Sequence, residues 1–165
     1  MYTCASCTIH ACKDPEHKDM PKNCPMQDRA FFDQVVQEYF KEENHDFFLT
    51  STAIEYLGYC RWPRQWPRLK ETMVFCKRMG YKKIGLGFCI GFAKEARIVA
   101  DLFRNEGFTM VSAVCKSGGV DKTEAGIPDE KKLKPGQYEA MCNPILQAKL
   151  LNEQKTDFNI ALGLC

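Results

Sequence analysis

The sequence predicts an α/β protein: a Rossmann-like three-layer domain with a parallel sheet, preceded by a cysteine-rich metal-binding knuckle and by covering helices. Three observations support this prediction. Ile84, Leu86 and Phe88 alternate with Gly85 and Gly87, which is typical of a short buried strand. A segment of helical period follows, and the strand pattern then returns, so a right-handed parallel crossover is expected. The first 26 residues show almost no apolar periodicity but contain four of the ten cysteines.

We place the knuckle at residues 1–27, because its cysteines follow the spacing C-x2-C-x4-C-x11-C. Such a segment buries too little apolar surface to order itself, so a bound ion that contributes folding free energy is expected. His10 and His17 are interpreted as solvated loop residues, since four thiolates already fill the usual ligand positions. The candidate metal ligands are Cys4, Cys7, Cys12 and Cys24.

The metal in this knuckle is less well defined by the sequence than its ligands are. Four thiolates suit tetrahedral zinc and an iron–sulfur cluster equally well. Only the first cysteine pair is compact, and Pro25 follows Cys24 directly; both features favour a 4Fe–4S cluster over zinc. Disulfide bonds are less favoured, because a chain that opens without a signal peptide is expected in a reducing compartment. Four free thiols on a solvated tail are the simplest alternative.

Residues 28–80 are predicted to form a helical cover. Asp28 is a suitable N-cap for a first helix that reaches about residue 41, and a second helix is expected over residues 46–59. Pro67 is placed to begin a third helix, which Gly80 would end.

Several side chains of this cover are expected to pack in the interior. Cys76 is interpreted as a small core residue, and Cys60 is assigned no role because it has no partner at a metal-ligand spacing. Trp62 and Trp66 are expected to cover the sheet. The aromatic residues of the first two helices are interpreted as core contacts: Phe31, Tyr39, Phe40, Phe47 and Phe48.

The parallel strand–helix core is predicted at residues 81–165. A helix over Ala93–Arg104 would end at Gly107, and further strands are expected at Phe108–Cys115 and Asp157–Cys165. A long polar loop separates Cys115 from the next helix. Loops of that length in compact domains are usually functional, so this one is a candidate cover for the edge of the sheet.

A second set of cysteines marks the predicted carboxyl edge of the sheet, where parallel α/β sheets bind ligands. Cys142 lies just before a helix predicted to start at Pro144, and the helix dipole favours a thiolate there. A second metal or cluster site is our first interpretation. A redox or catalytic thiol group, with Cys142 or Cys89 as nucleophile, is the alternative, and coincidence is the third. The set comprises Cys89, Cys115, Cys142 and Cys165.

Composition and motifs argue against several other functions. The net charge is +2 and no basic stripe carries interleaved aromatics, so nucleic acid is a poor candidate partner. No apolar run is long enough to cross a bilayer, so a membrane partner is not expected and the cytoplasm is the predicted location. The glycines near Gly85 miss the dinucleotide-binding spacing, since the third comes one position late.

Five stretches carry a resemblance to a known family: CASCTIHACKDPEHKDMPKNCPM at Cys4–Met26, RMGYKKIGLGFCIG at Arg78–Gly91, VCKSGGVDK at Val114–Lys122, MCNP at Met141–Pro144 and LGLC at Leu162–Cys165. The chain resembles the bacterial and archaeal family called domain of unknown function number 1847, whose members are described as candidate metal-binding proteins. The resemblance implies metal binding through both cysteine sets but implies no reaction. Relatives continue past the last motif, so a C-terminally truncated chain is expected.

The sequence therefore predicts a cytoplasmic metal-binding protein with an iron–sulfur or zinc site in the knuckle and a second cysteine cluster at the carboxyl edge of the sheet. A redox or sulfur-related role would follow, with a redox protein as partner. The alternative is a cysteine-dependent enzyme with a structural zinc. A zinc-stabilised interaction module is a third class, in which the edge cysteines would be dispensable.

Overall fold

A computed structural model of the chain describes residues 1–60 and 65–164. The chain divides into two compact units, Met1–Ser51 and Thr52–Cys165, which are described separately. The predicted knuckle boundary at residue 27 lies inside the first unit, and its status as a separate domain stays a prediction.

The first unit combines single 3-10 turns with helices. The turns are Cys4–Ser6, Ala11–Lys13 and Pro25–Gln27. Helix α1 spans Arg29–Val36, a 3-10 turn follows at Gln37–Phe40, and helix α2 spans Glu42–Tyr59 and continues into the second unit. Asp28 caps α1 by accepting a hydrogen bond from the Phe31 amide at 3.1 Å, which confirms the predicted N-cap.

The aromatic residues of α1, the adjoining turn and the start of α2 are exposed, so the prediction that they form core contacts was wrong. The exposed fraction is 60% for Phe31 and 65% for Phe40, and Phe47 and Phe48 are also exposed. Tyr39 and Phe48 contact each other with ring centroids 4.7 Å apart. Helical spacing identifies one face of a helix but does not specify what covers it.

The second unit contains a three-stranded parallel sheet in the order β2-β1-β3. The sheet confirms the predicted parallel α/β class. Its strands are β1 (Lys83–Phe88), β2 (Thr109–Val114) and β3 (Phe158–Leu162). Three helices precede or connect them: α3 (Arg68–Arg78), α4 (Ala93–Asn105) and α5 (Pro144–Glu153).

The two faces of β1 differ as its alternating sequence predicts. Ile84 and Leu86 are fully buried in one cluster with Val99 and Phe103 of α4. On the opposite face, a Cβ atom at Gly85 would lie 3.2 Å from Leu151 of α5 and would overlap the side chain of Asn159. The bare face of β1 therefore lets α5 approach the backbone of the strand, whereas the apolar face forms the main core.

Helix α3 places Cys76 in this core. Its side chain is fully buried, and burial raises the pKa of the thiol to about 11. This confirms that Cys76 is a core residue and leaves it inert as a nucleophile at neutral pH. Cys60 is exposed beyond the end of α2. Trp66 is half-buried, and Trp62 lies outside the described residues.

None of the helices in the described ranges is both long and apolar enough to cross a membrane.

Candidate functional site

The register of the sheet brings two of the predicted site cysteines side by side. Phe88 and Val114 form the last register pair of β1 and β2. Cys89 and Cys115 follow these residues directly, and the Cys115 amide donates to the Phe88 carbonyl at 2.9 Å. The pairing of the strands therefore continues to the two cysteines, which leave the sheet at the same level of its carboxyl edge.

Cys115 is the most enclosed of these thiols. Its side chain is 4% exposed, and its Sγ accepts a hydrogen bond from the Ile90 amide at 3.3 Å. Burial raises the pKa of Cys115, the Ile90 amide opposes this, and the neighbouring thiols of Cys142 and Cys89 raise the pKa further. The two cysteines thus share one local environment.

Cys142 reaches the same edge from a different part of the chain. The Asn143 amide donates to the Cys115 carbonyl at 2.7 Å, so the residue after Cys142 is fixed to the backbone of Cys115. The Asn143 side chain also accepts from the Leu146 amide at 3.0 Å and caps α5, which begins at Pro144 as predicted. Cys142 itself is exposed, and Lys116 Nζ lies 3.5 Å from its Sγ. We call Cys89, Cys115 and Cys142 the edge thiols.

The loop from Lys116 to Met141 is organised around a buried ammonium group. The Lys132 side chain is 5% exposed and lies 2.8 Å from an Asp121 oxygen and 3.1 Å from an Asp129 oxygen. Its Nζ also donates to the Gln137 carbonyl at 2.9 Å. Lys132 and the hydroxyl and amide of Thr123 hold the pKa of Asp121 well below its usual range. This ion-pair network orders a long loop and thereby fixes the chain that leads to Cys142.

The segment that precedes Cys165 is also closely packed. The Cys89 amide donates to the Leu162 carbonyl at 3.1 Å, so β3 continues alongside the Cys89 position. Gly163 has a φ of +60°, and any side chain there would overlap the ring of Phe92. Cys165, the fourth predicted member of the second cysteine set, lies outside the described residues.

In the first unit, three of the four predicted ligands line one cavity of about 240 Å³: Cys4, Cys7 and Cys24. The His10 amide donates to Cys7 Sγ at 3.5 Å. Cys12 is exposed in the turn Ala11–Lys13 and does not line this cavity. The His17 ring lies against the Ala11 carbonyl, with Nδ1 at 3.2 Å. A metal site with all four cysteines as ligands would therefore need Cys12 to move towards the other three thiols.

The nine cysteines within residues 1–60 and 65–164 are all free thiols. Across the same ranges, no three cysteine, histidine or carboxylate side chains adopt the arrangement that would ligate one metal ion. The structure therefore brings the edge thiols close together, and three knuckle thiols around one cavity, without setting either group at metal-ligand geometry.

Two residues of the edge were not identified from the sequence. Lys116 follows Cys115 directly, and a lysine beside a cysteine could have been recognised as a neighbouring charge. Gln147 is 2% exposed and lies against the ends of β1 and β2. A single amide among the apolar residues at the start of α5 was the available signal, since buried amides require specific partners.

Fold and site together define a cysteine-rich α/β protein whose parallel sheet gathers thiols at its carboxyl edge. The chain belongs to the family described as "Protein of unknown function (DUF1847)", whose profile matches residues 24–165. The match includes Cys24 and every cysteine of the second set, whereas Cys4, Cys7 and Cys12 precede it.

One relative is "Uncharacterized protein MJ0455" of Methanocaldococcus jannaschii, which is 45% identical over 132 residues. The aligned region covers 80% of this chain and 64% of the relative, so the chain spans less than two thirds of that protein. No solved structure matches the chain.

Proposed function

We propose that this chain is a metal-binding protein whose edge thiols, together with Cys165, bind an iron–sulfur cluster or a zinc ion on a Rossmann-like sheet. The observation that carries the proposal is the convergence of Cys89, Cys115 and Cys142 from three separate segments at one edge. Isolated core cysteines have no physical reason to meet in this way. A redox or sulfur-related role follows from a cluster at this edge, with a redox protein as partner.

The chemistry of the donor set fits a soft metal. Thiolates are the preferred ligands of iron–sulfur clusters and of structural zinc. The Ile90 amide that donates to Cys115 Sγ would stabilise negative charge on a ligating sulfur, as would the Lys116 ammonium beside Cys142. We place the protein in the reducing cytoplasm, where such thiols stay free.

The knuckle is proposed as the first site, with Cys4, Cys7, Cys12 and Cys24 as ligands of a 4Fe–4S cluster in preference to zinc. Its support is the cavity lined by three of these thiols and the scarcity of buried apolar residues around it. Binding would draw Cys12 towards the cavity and supply folding free energy that the apolar residues of this segment do not.

The direct test is metal analysis of protein purified without oxygen. Iron, zinc and acid-labile sulfide per chain are measured for the wild type and for the variants C115S and C60S. We expect C115S to lose about four irons and matching sulfide if the edge binds a cubane cluster, or about one zinc if it binds zinc. C60S, which changes an exposed cysteine without an assigned role, should retain the wild-type content. Equal metal in wild type and C115S would refute the edge site.

The knuckle is tested separately with C7S. We expect this variant to lose one cluster or one zinc equivalent while the edge retains its own metal. An unchanged metal content in C7S would refute the first site and leave the second untouched.

A second candidate function is a thiol enzyme with Cys142 as nucleophile and a structural zinc in the knuckle. The observation that favours it is the exposed Cys142 thiol with Lys116 Nζ at 3.5 Å, since a neighbouring ammonium activates a thiolate. It predicts rapid iodoacetamide labelling of Cys142 in metal-free protein near neutral pH and slower labelling in K116M. K149M, which changes an exposed lysine of α5, is the matched control. Slow labelling of Cys142 in the wild type would exclude this function.

A further inference from the structure

Gln147 links three elements at the level of the edge thiols. Its side-chain amide Nε2 donates to the Phe88 carbonyl at 3.1 Å and to the Ala113 carbonyl at 2.8 Å. Phe88 is the residue before Cys89, and Ala113 lies two residues before Cys115. Gln147 is on the first turns of α5, the helix that begins just after Cys142. One side chain therefore connects the three segments that carry the edge thiols.

The orientation of this amide is fixed by its surroundings. Two carbonyl oxygens face the same terminal atom of Gln147, and only the NH2 group can donate to both. The opposite orientation would place three oxygens against one another.

Stability alone does not account for a glutamine at this position. Its Oε1 is buried and has no hydrogen-bond partner among the described residues. A buried acceptor without a donor lowers stability, and an apolar side chain of similar length would avoid that penalty. The Phe88 carbonyl also accepts from the Cys115 amide, so it would not be left unpaired without Gln147. We therefore explain the Gln147 amide by the way it holds the start of α5 against the carbonyls of Phe88 and Ala113.

We infer that Gln147 is a positioning residue for the edge thiols. By spanning the carbonyls of Phe88 and Ala113, it fixes the start of α5, and with it Cys142, at the level where Cys89 and Cys115 leave the sheet. This role rests on the proposed function insofar as the three thiols are taken to bind one ligand together. Their spacing can nevertheless be measured without any metal.

The probe is phenylarsine oxide, applied to the reduced, metal-free chain of 165 residues. Trivalent arsenic forms two As–S bonds with two nearby thiols, and the oxygen leaves as water with both thiol protons. The arsenical thereby protects close thiol pairs from iodoacetamide, and peptide mass spectrometry identifies which cysteines are protected. The knuckle thiols serve as an internal reference in the same sample.

We compare the wild type with Q147M, which keeps the length of the side chain but removes the amide, and with Q147N, whose amide is too short to span both carbonyls. Protection of the edge thiols should require about tenfold more arsenical in both variants, because two hydrogen bonds that fix the spacing are lost or weakened. Protection of the knuckle thiols should not change. L151A, which removes a buried side chain from the same helix, should leave edge protection at the wild-type level.

Unchanged protection in Q147M and Q147N would overturn the inference. An equal loss in L151A would also overturn it, since Gln147 would then act only through the stability of α5. If Q147M does not fold, Q147N decides the question by the same criteria. If the wild type contains no metal when it is purified without oxygen, and edge protection in the arsenical experiment still depends on Gln147, the proposed function is refuted and this inference stands.

Discussion

At the carboxyl end of β3, the backbone of Gly163 adopts a conformation that disfavours any residue with a side chain. Its φ of +60° lies in the left-handed region, where a side chain costs about 1–2 kcal/mol. The ring of Phe92 occupies the space that a Cβ atom would need. Phe92 itself lies three residues after Cys89. This contact therefore joins the segment after β1 to the segment after β3, beside the candidate site.

We predict that G163A is less stable than the wild type by roughly 2–4 kcal/mol, the sum of backbone strain and overlap with Phe92. The matched control is G136A, where φ is +76° but nothing lies within 4 Å of the added Cβ. It should lose only about 1–2 kcal/mol. Urea unfolding at neutral pH measures both values. If both variants lost the same free energy of unfolding, the ring of Phe92 would have moved aside at no energetic cost, and the prediction would be wrong.

At the scale of elements, the side chain of Asp157 connects the start of β3 to the start of β1 through hydrogen bonds. One carboxylate oxygen accepts from the Lys82 and Lys83 amides, both at 2.8 Å. The Lys83 amide and then the Lys82 amide hold the pKa of Asp157 below its ordinary value of 3.8. Because the pKa is lower in the folded chain, the charged form stabilises the fold.

This contribution to stability is fully present above the ordinary pKa of Asp157 and is lost as pH falls through the lower folded value. We predict that D157N, which removes the charge, reduces the loss of stability between about pH 4 and pH 2, the acid range set by linkage. Urea unfolding at a series of pH values measures the slope. E130Q, a change in an exposed carboxylate, is the control and should retain the wild-type slope. If the stability of D157N fell between about pH 4 and pH 2 as steeply as that of the wild type, the prediction would be contradicted.

Sequence patterns predicted elements better than they predicted what the elements contact. Alternation between apolar residues and glycine located β1, and the apolar period over Ala93–Arg104 located α4 to within one residue. The same kind of pattern located α1, but its aromatic side chains are exposed. Periodicity is a local property of the chain, whereas burial depends on a second surface that the local sequence does not contain.

At the scale of the whole molecule, the two units differ in how much apolar interior they contain. Every buried hydrophobic side chain among the described residues belongs to the unit Thr52–Cys165, except Ala11. The second unit has a continuous core that includes Ile84, Leu86 and Phe103. The first unit has no comparable core, so the metal that we propose for its thiols is predicted to contribute more to its order than to that of the second unit.

We predict that removal of metal affects the two units unequally. Treatment with a chelator under reducing conditions should increase amide hydrogen exchange across residues 1–27, while amides of β1 and β3 stay protected by the core. Hydrogen exchange with mass spectrometry measures both regions in one experiment. Retained protection in residues 1–27 after complete metal removal would show that the knuckle is ordered by its own contacts.

The sequence by itself determined the α/β class, the parallel crossover, most element boundaries and the position of Cys89 and Cys115 at strand ends, because these follow from periodicity, caps and strand ends. Only the tertiary structure decided which thiols approach one another and what surrounds them. The register of β1 against β2 places Cys89 beside Cys115, and the ordered loop before α5 adds Cys142. The orientation of Gln147 and the contact of Lys116 with Cys142 depend on residues far apart in the chain. Such contacts arise from packing between elements, which no local pattern encodes.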